Sequence, residues 1–385
     1  MPEANSAKKL LQTLTPRLRE MLATLRNFVL AESPSLEKAA ADRCCRLIAA
    51  EWRKRGAQTE RIAQQHRGDH LRVIWQPRES RPPGQLLVLG HYDTVYATGT
   101  LANMPFRVSA GKAYGPGSFD MKAGIVQALF AFGALRRSGA PPRKRIVFLW
   151  TSDEEIGSDS SRKIIEAEAR RSDAVFVLEP ALGSRGLLKT SRKGVGEAEI
   201  VVHGRASHAG LAPEEGVNAV HELARQITRI QGWSGLGQGT TINADIIEGG
   251  TRTNVIPDRA RAILDLRALR VADMRRLERR LHALRPILPG ARLELRGGFN
   301  RAPLERDMSA ALFARARMLA TQMGLPLGEC TAGGGSDGNL TAALGIPTLD
   351  GLGAVGDGAH SSREHVLVNT MPARAALLAA LLAVS

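Results

Sequence analysis

Residues 86–95 read LLVLGHYDTV, residues 146–158 read IVFLWTSDEEIGS and residues 174–180 read AVFVLEP. Each stretch begins with a short unbroken apolar run and ends abruptly in polar residues. Apolar runs of this length suit strands covered on both faces, as in a parallel sheet. Between the first two, the segment from Met121 to about Arg137 puts Ile125, Leu129 and Phe132 on one helical face. Strands alternating with helices predict an α/β layer with a largely parallel central sheet. In open α/β sheets, ligands bind outside the carboxyl ends of the strands. The polar residues after each run are therefore the first place to look for chemistry.

Working outward, residues 17–30 show helical spacing through Leu18, Met21, Leu22, Leu25 and Val29, and residues 37–55 look similar. The middle of the chain changes character. Glu197 to His203, Thr240 to Ile247, Arg259 to Arg267 and Ala291 to Arg296 read as strands. Asn218 to Ile230 and Val271 to Leu284 read as helices. The order β-α-β-β-α-β is the ferredoxin-like unit. The expected organisation is a catalytic α/β domain over 1–194 and 300–385, interrupted by a two-layer domain over 195–299. The Ala/Leu run from Ala375 to Val384 predicts a terminal amphipathic or buried helix.

Composition narrows the class. A chain of 385 residues is long for one core, and 43% hydrophobic with 24% charged residues fits a globular protein. No apolar stretch approaches the roughly 20 residues of a membrane span. Polar residues interrupt Leu10 and Leu11, so no signal-peptide pattern is read and a cytoplasmic location is expected. Cys44, Cys45 and Cys330 have no metal-type spacing and read as reduced, structural thiols. The net charge of +15 is spread along the chain, and aromatics are only 4%. That pattern reads as a solvated basic surface, not a nucleic-acid platform.

Four polar segments follow apolar runs or open a helix: His91 and Asp93, then Asp120, then Glu154 and Glu155, then Glu179. His360 adds a second imidazole from the C-terminal segment GAHSSREH. Carboxylates and imidazoles converging at strand ends are a metal-site signal. A two-metal hydrolytic site needs a bridging carboxylate, terminal ligands and a further carboxylate to move the proton of the attacking water. Glu154 and Glu155 can divide the last two tasks. Imidazole with carboxylate suits zinc, with cobalt or manganese possible.

The strings HYDTV, AYGPGSFDMKAG, TSDEEIGS, ASHAG and GGGSDGN, in this order, resemble the metallopeptidase family of glutamate carboxypeptidase (carboxypeptidase G type), aminoacylase and succinyl-diaminopimelate desuccinylase. The glutamate carboxypeptidase branch is the nearest resemblance. It implies two zinc ions per subunit, His91 and Glu179 on one, Glu155 and His360 on the other, and Asp120 bridging. It implies Glu154 as general base and Asp93 orienting His91. His208, in ASHAG, is implied to reach the partner subunit's site in a homodimer and hold the developing oxyanion. Asn254 and Arg267 match positions that bind the substrate's carbonyl region and α-carboxylate, and Arg296 is a further candidate carboxylate contact. The loop containing Gly334 is implied to line the substrate cleft. The expected substrate is a peptide or N-acyl amino acid with a free C-terminal carboxylate, with a deacylase or dipeptidase as the alternative within the family. A basic binding protein with a vestigial metal site is the alternative outside it. One departure bears on specificity: ALGSRGLLKTSRK (181–193) holds no clear match to the lysine of the glutamate branch, though Arg185, Lys189, Arg192 and Lys193 are present.

Overall fold

The computed structural model describes residues 2–77, 83–138 and 142–385. The chain separates into two compact units. The larger comprises Met1–Thr190, Arg306–Ala332 and Ser336–Ser385, and the smaller Ser191–Glu305 with Gly333–Gly335. The division falls at 190/191 and 305/306 where 194/195 and 299/300 were expected. The reason is that the last strand of the smaller unit runs on to Arg301, and a bridge between Arg192 and Leu304 carries both chain crossings into that unit.

The larger unit is built on a six-stranded sheet in the order Gln58–Ile62, His70–Trp75, Arg145–Thr151, Gln85–His91, Ala174–Val177, Thr348–Leu349. The last four strands are parallel, and the first two join antiparallel. Alternate residues of the apolar runs supply two different cores. Leu86, Val88, Ile146, Phe148, Trp150 and Phe176 face one side with the helices Leu18–Leu30, Lys38–Lys54, Ala123–Arg137 and Met371–Val384. Leu87, Leu89, Val147, Leu149, Val175 and Val177 face the other with Ile165, Ala169 and Leu340. Both faces are covered, which is why the strands read as continuous apolar runs. Trp52 anchors the first core, its ring centroid 5.3 Å from Phe132 and 4.7 Å from Phe148. Such pairs add about 0.5–1.5 kcal/mol beyond the area they bury. The C-terminal helix is buried along nearly its whole length, so of the two expected forms it takes the buried one. No helix among the described residues is long and apolar enough to cross a membrane.

Four short strands form a second antiparallel sheet in the larger unit, in the order Gly356–Asp357, His365–Leu367, Lys112–Tyr114, Arg107–Ser109. It ties the segment carrying His360 to the segment leading to Asp120.

The smaller unit has four antiparallel strands in the order Thr241–Gly249, Arg259–Ala268, Gly194–His203, Arg292–Arg301. Two helices, Ala219–Gln231 and Val271–His282, cover one face. Burial alternates residue by residue along Arg259–Ala268, so Ala262, Leu264 and Leu266 meet Leu223 and Leu277 while Arg261, Asp265 and Arg267 take the opposite face. This is the β-α-β-β-α-β order expected from the spacing.

Candidate metal centre

His91 is the last residue of its strand, paired in register with Thr151. Gly90 before it lets Met121 pack close: a Cβ there would stand 2.4 Å from Met121 Cε, and the methionine side chain would have to shift. The His91 N–H donates to Met121 Sδ at 3.3 Å, so the two segments are pinned together. His91 Nδ1 lies 3.1 Å from the Asp93 carbonyl and 3.4 Å from its Oδ1. A donor proton on Nδ1 leaves Nε2 free to act as a ligand.

Asp120 was expected at the start of a helix; instead it lies in a π-type turn, Ser118–Lys122, that precedes the helix Ala123–Arg137. Its backbone is non-helical (φ −111°, ψ 95°), and the Asp120–Met121 peptide is cis. The physical reason is Glu364, whose fully buried carboxylate accepts the N–H groups of Gly117 at 3.0 Å, Phe119 at 2.8 Å and Asp120 at 3.0 Å. Those amides are satisfied by a side chain, and the turn takes the shape that aims them at it. Burial pushes the Glu364 carboxyl up to about 7, against these hydrogen bonds.

The two oxygens of Asp120 face different imidazoles. Oδ1 is 3.2 Å from His91 Nε2, and Oδ2 is 3.5 Å from His360 Nε2. His91 Nε2 is also 3.4 Å from Glu179 Oε1, and His360 Nε2 is 3.1 Å from Glu155 Oε2. Two trios result, His91–Asp120–Glu179 and Asp120–Glu155–His360, each with its ligand atoms within 4.8 Å of one another. Ligands about 2.0–2.1 Å from a tetrahedral ion stand roughly 3.3 Å apart, which is the spacing found here. His360 holds its place with φ +59°, an observed strain of the kind that gathers at functional sites.

The charges in the cluster are mutually dependent. Burial works against ionisation of Asp120, but hydrogen bonds from His360 and His91 hold its carboxyl well below the usual range. Burial pushes Glu155 up. Hydrogen bonds to Asp120 and Glu155 push His360 up to about 10. His91 is raised as well: burial opposes its charge, and Asp120, Asp93 and Glu179 outweigh burial. Glu155 Oε1 is buried with no hydrogen-bond partner. An orphaned carboxylate oxygen among three carboxylates and two imidazoles fits a pair of divalent ions, which would complete the coordination that hydrogen bonds leave open.

Glu154 and Glu155 open a short 3-10 turn, Glu154–Ile156, after the Arg145–Thr151 strand. Asp93 does more than flank His91. Its carboxylate accepts the N–H of Glu154 and of Glu155, each at 3.3 Å, and the Ser35 hydroxyl at 2.7 Å. Asp93 therefore fixes the imidazole and the glutamate turn together. Glu364 and Ser35 escaped the sequence reading. Glu364 stood within GAHSSREH, where only the imidazoles were weighed. His365 is outside both trios, in the short sheet with its ring 5.4 Å from Tyr114. Lys189 is the basic residue of 181–193 whose charge acts on Asp120.

The remaining sequence-predicted residues belong to the smaller unit. His208 is exposed, and its Nδ1 accepts the N–H of Gly210 and of Leu211, each at 3.1 Å. Asn254 lies beside it, its carbonyl taking the Ala209 N–H at 3.0 Å. Arg267 is at the other end of the Arg259–Ala268 strand, where Arg267 pairs with Val195 while Arg259 pairs with His203. Eight residues of strand span about 26 Å. The Arg267 guanidinium is held by Asp265 at 2.7–3.0 Å. Arg296 stands in an ion-pair ladder on the sheet's polar face, with Glu294 at 2.8 Å and Glu199 at 3.3 Å. Gly334 has open space where a Cβ would sit, and its carbonyl accepts from Arg192 at 3.0 Å.

The description of Peptidase family M20/M25/M40 matches residues 87–384. Carboxypeptidase G2 of Pseudomonas sp. (strain RS-16) is 34% identical over 307 residues, covering 77% of this chain and 73% of that protein. Succinyl-diaminopimelate desuccinylase of Paraburkholderia xenovorans (strain LB400) is 31% identical over 307 residues, covering 74% and 79%. Among solved structures, an aminopeptidase from Bacillus cereus superposes with a TM-score of 0.77 at 21% identity, covering 95% of this chain and 98% of that one. A tripeptidase from Staphylococcus aureus superposes at 0.79 and 20%, with the same coverage. At these identities the superpositions speak to the mixed α/β fold alone.

Proposed function

The chain belongs to peptidase family M20/M25/M40 and is a hydrolytic enzyme, and from that membership we propose that it is a two-metal amidohydrolase cutting the amide bond beside an amino acid with a free carboxylate. The observation that carries the two-metal reading is Asp120, whose two oxygens address two separate His–carboxylate pairs. His91 and Glu179 would hold one ion, Glu155 and His360 the other, with Asp120 between them. Zinc suits these ligands, and cobalt and manganese are the alternatives. Bound there, the ions supply Lewis-acid polarisation of the scissile carbonyl and a lowered pKa for the attacking water. Glu154, held beside Glu155 by Asp93, takes that water's proton and returns it to the leaving amine.

The homodimer is part of the same proposal. Because His208 Nδ1 accepts from two backbone amides, the ring proton sits on the outward Nε2. That is the tautomer an oxyanion needs. His208 and Asn254 lie far along the strand from Arg267, which favours a site where one subunit contributes Arg267 and the partner subunit contributes the other two. The Thr241–Gly249 strand is a sheet edge with Ile246 and Ile247 exposed at 48% and 58%, a surface suited to pairing with a second copy. The three free cysteines accord with a cytoplasmic enzyme.

Glutamate is the first side chain to test, given the likeness to carboxypeptidase G2. The likeness to succinyl-diaminopimelate desuccinylase favours a second reading as an N-acyl-amino-acid deacylase. The deciding experiment is amine release from a panel of N-acyl and peptidyl amino acids by zinc-loaded protein, beside Glu154→Gln. Release that vanishes in the variant supports the mechanism, and the preferred amino acid separates the branches. No release, with no metal bound, overturns the proposal.

A further inference from the structure

A pocket of about 210 Å³ opens in the larger unit beside the start of the C-terminal helix Met371–Val384. It shares no lining residue with either trio. Leu325, Leu327, Val355, Ala373 and Leu377 make its walls apolar. Arg374 lines it too, and is only 6% exposed. Its Nε donates to the Gly353 carbonyl at 2.9 Å, its Nη1 to the Gly186 carbonyl at 3.2 Å and its Nη2 to the Gly351 carbonyl. A guanidinium carries five N–H donors, and carbonyls are neutral acceptors. These three satisfy hydrogen bonds and leave the charge uncompensated. Burial alone pushes Arg374 down to about 10, with no carboxylate among the described residues acting on it, so it stays cationic at neutral pH. An arginine this deep ordinarily has a counter-ion.

The surroundings add to the demand for an anion. Arg374 stands in the first turn of its helix, the positive end of the helix dipole, and no acidic residue shares that turn. Arg185, exposed, brings a second guanidinium to the lining, and no Asp or Glu is among the lining residues. The volume sets the size of the guest. An apolar cavity of about 150 Å³ holds benzene, so this pocket has room for one ring, or a chain of about six carbons, with a carboxylate. We infer that it is a binding site for a small apolar monocarboxylate of the benzoate or hexanoate class, the carboxylate on Arg374 and Arg185 and the tail against the aliphatic walls. The site is independent of the amidohydrolase reading. Arg374 has a structural task as well: Gly353, which accepts its Nε, donates its own N–H to the Glu179 carbonyl at 2.9 Å. Removing the arginine would loosen the segment that carries Glu179, so the test leaves it in place.

The test is titration calorimetry of benzoate, hexanoate, acetate and benzyl alcohol on the zinc-loaded full chain, as wild type, Ala373→Phe and Arg185→Glu. Ala373 is half-buried in the pocket wall, so a phenyl ring there takes the space of the guest. Arg185→Glu changes only an exposed charge. Benzoate and hexanoate are expected to bind, with acetate, which lacks the tail, and benzyl alcohol, which lacks the charge, about tenfold or more weaker. Ala373→Phe should abolish benzoate binding, and Arg185→Glu should weaken it about fivefold. A crystal grown with 4-bromobenzoate should place the bromine in this pocket. Carboxylates also ligate zinc, so benzoate binding that is equal in all three proteins, or bromine found only at the metal centre, overturns the inference. Absence of benzoate binding overturns it, as does equal affinity for benzyl alcohol. Should Ala373→Phe fail to fold, the Arg185→Glu titration and the bromine position decide. No arm measures hydrolysis, so the outcome stands whether or not amide cleavage is found.

Discussion

Glu364 shows how a side chain outside the two trios can shape a candidate metal site. It receives three amides of the segment 117–120 and so fixes where the Asp120 carboxylate points. Replacing it with Gln puts a donor NH₂ on one of the two oxygens those amides need. Partners that orient ligands typically change metal affinity 10–100-fold, and Glu364→Gln is expected to weaken zinc affinity by about that factor, read by chelator competition. Unchanged affinity would mean the turn holds without it. His91 and His360 carry a second prediction. In the metal-free protein Asp120 and Glu155 push His360 up to about 10, so it is protonated at neutral pH, and the His91 imidazole is raised as well, its carboxylate neighbours outweighing burial. Ions bind neutral imidazole, so loading at pH 7 should release the His360 proton, and His360→Ala should release fewer protons than the wild type. Titration calorimetry in buffers of different ionisation enthalpy counts them; zero release would refute the electrostatic picture. The residues that the structure gathers into the two trios were legible in the sequence because each follows an apolar run or a distinctive turn. Glu364 was not, because its partners are backbone amides about 245 positions away, and backbone amides leave no residue-type signature.

Elements divided along a similar line. The three apolar runs were readable as buried strands because both of their faces meet core, and the strands and helices of the smaller unit followed their periods. The short sheet of Gly356–Asp357, His365–Leu367, Lys112–Tyr114 and Arg107–Ser109 was not readable. Strands of two or three residues show no alternation, and their pairing is set by chain segments far apart. The strand Gln58–Ile62 is mostly exposed and lacks an apolar pattern to betray it. One element-scale anchor gives a stability prediction. Glu222, fully buried in the helix Ala219–Gln231, accepts the N–H groups of Ile287 at 2.9 Å and Leu288 at 2.7 Å and the amide of Gln226 at 2.6 Å. Glu222→Ala takes the carboxylate from the part-buried amides of Ile287 and Leu288, while the Gln226 amide keeps the Arg285 carbonyl at 2.9 Å, and should destabilise the smaller unit by about 2 kcal/mol, measured by chemical denaturation. A loss below about 1 kcal/mol would show that other acceptors take over.

At the scale of the whole molecule, the proposal divides the site between two chains, and that division can be tested without a structure of the complex. Glu154→Gln removes the base from a subunit's own site. His208→Ala removes the donor that the subunit lends to its partner. Each variant dimer alone is expected to be nearly inactive. In a mixed dimer, one site lacks both groups. The other keeps Glu154 and receives His208 from the Glu154→Gln subunit, so it is complete. Random reassortment makes half of the dimers mixed, each with one good site, so the mixture should recover about a quarter of wild-type turnover. An Ile247→Lys change places a charge on the exposed edge strand, and added to both variants it should abolish the recovery while light scattering reports monomers. Recovery near zero from variants shown to exchange subunits would refute the shared site. In that case the span of about 26 Å between Arg259 and Arg267 would have to be accounted for by ligand contacts made elsewhere in the same chain.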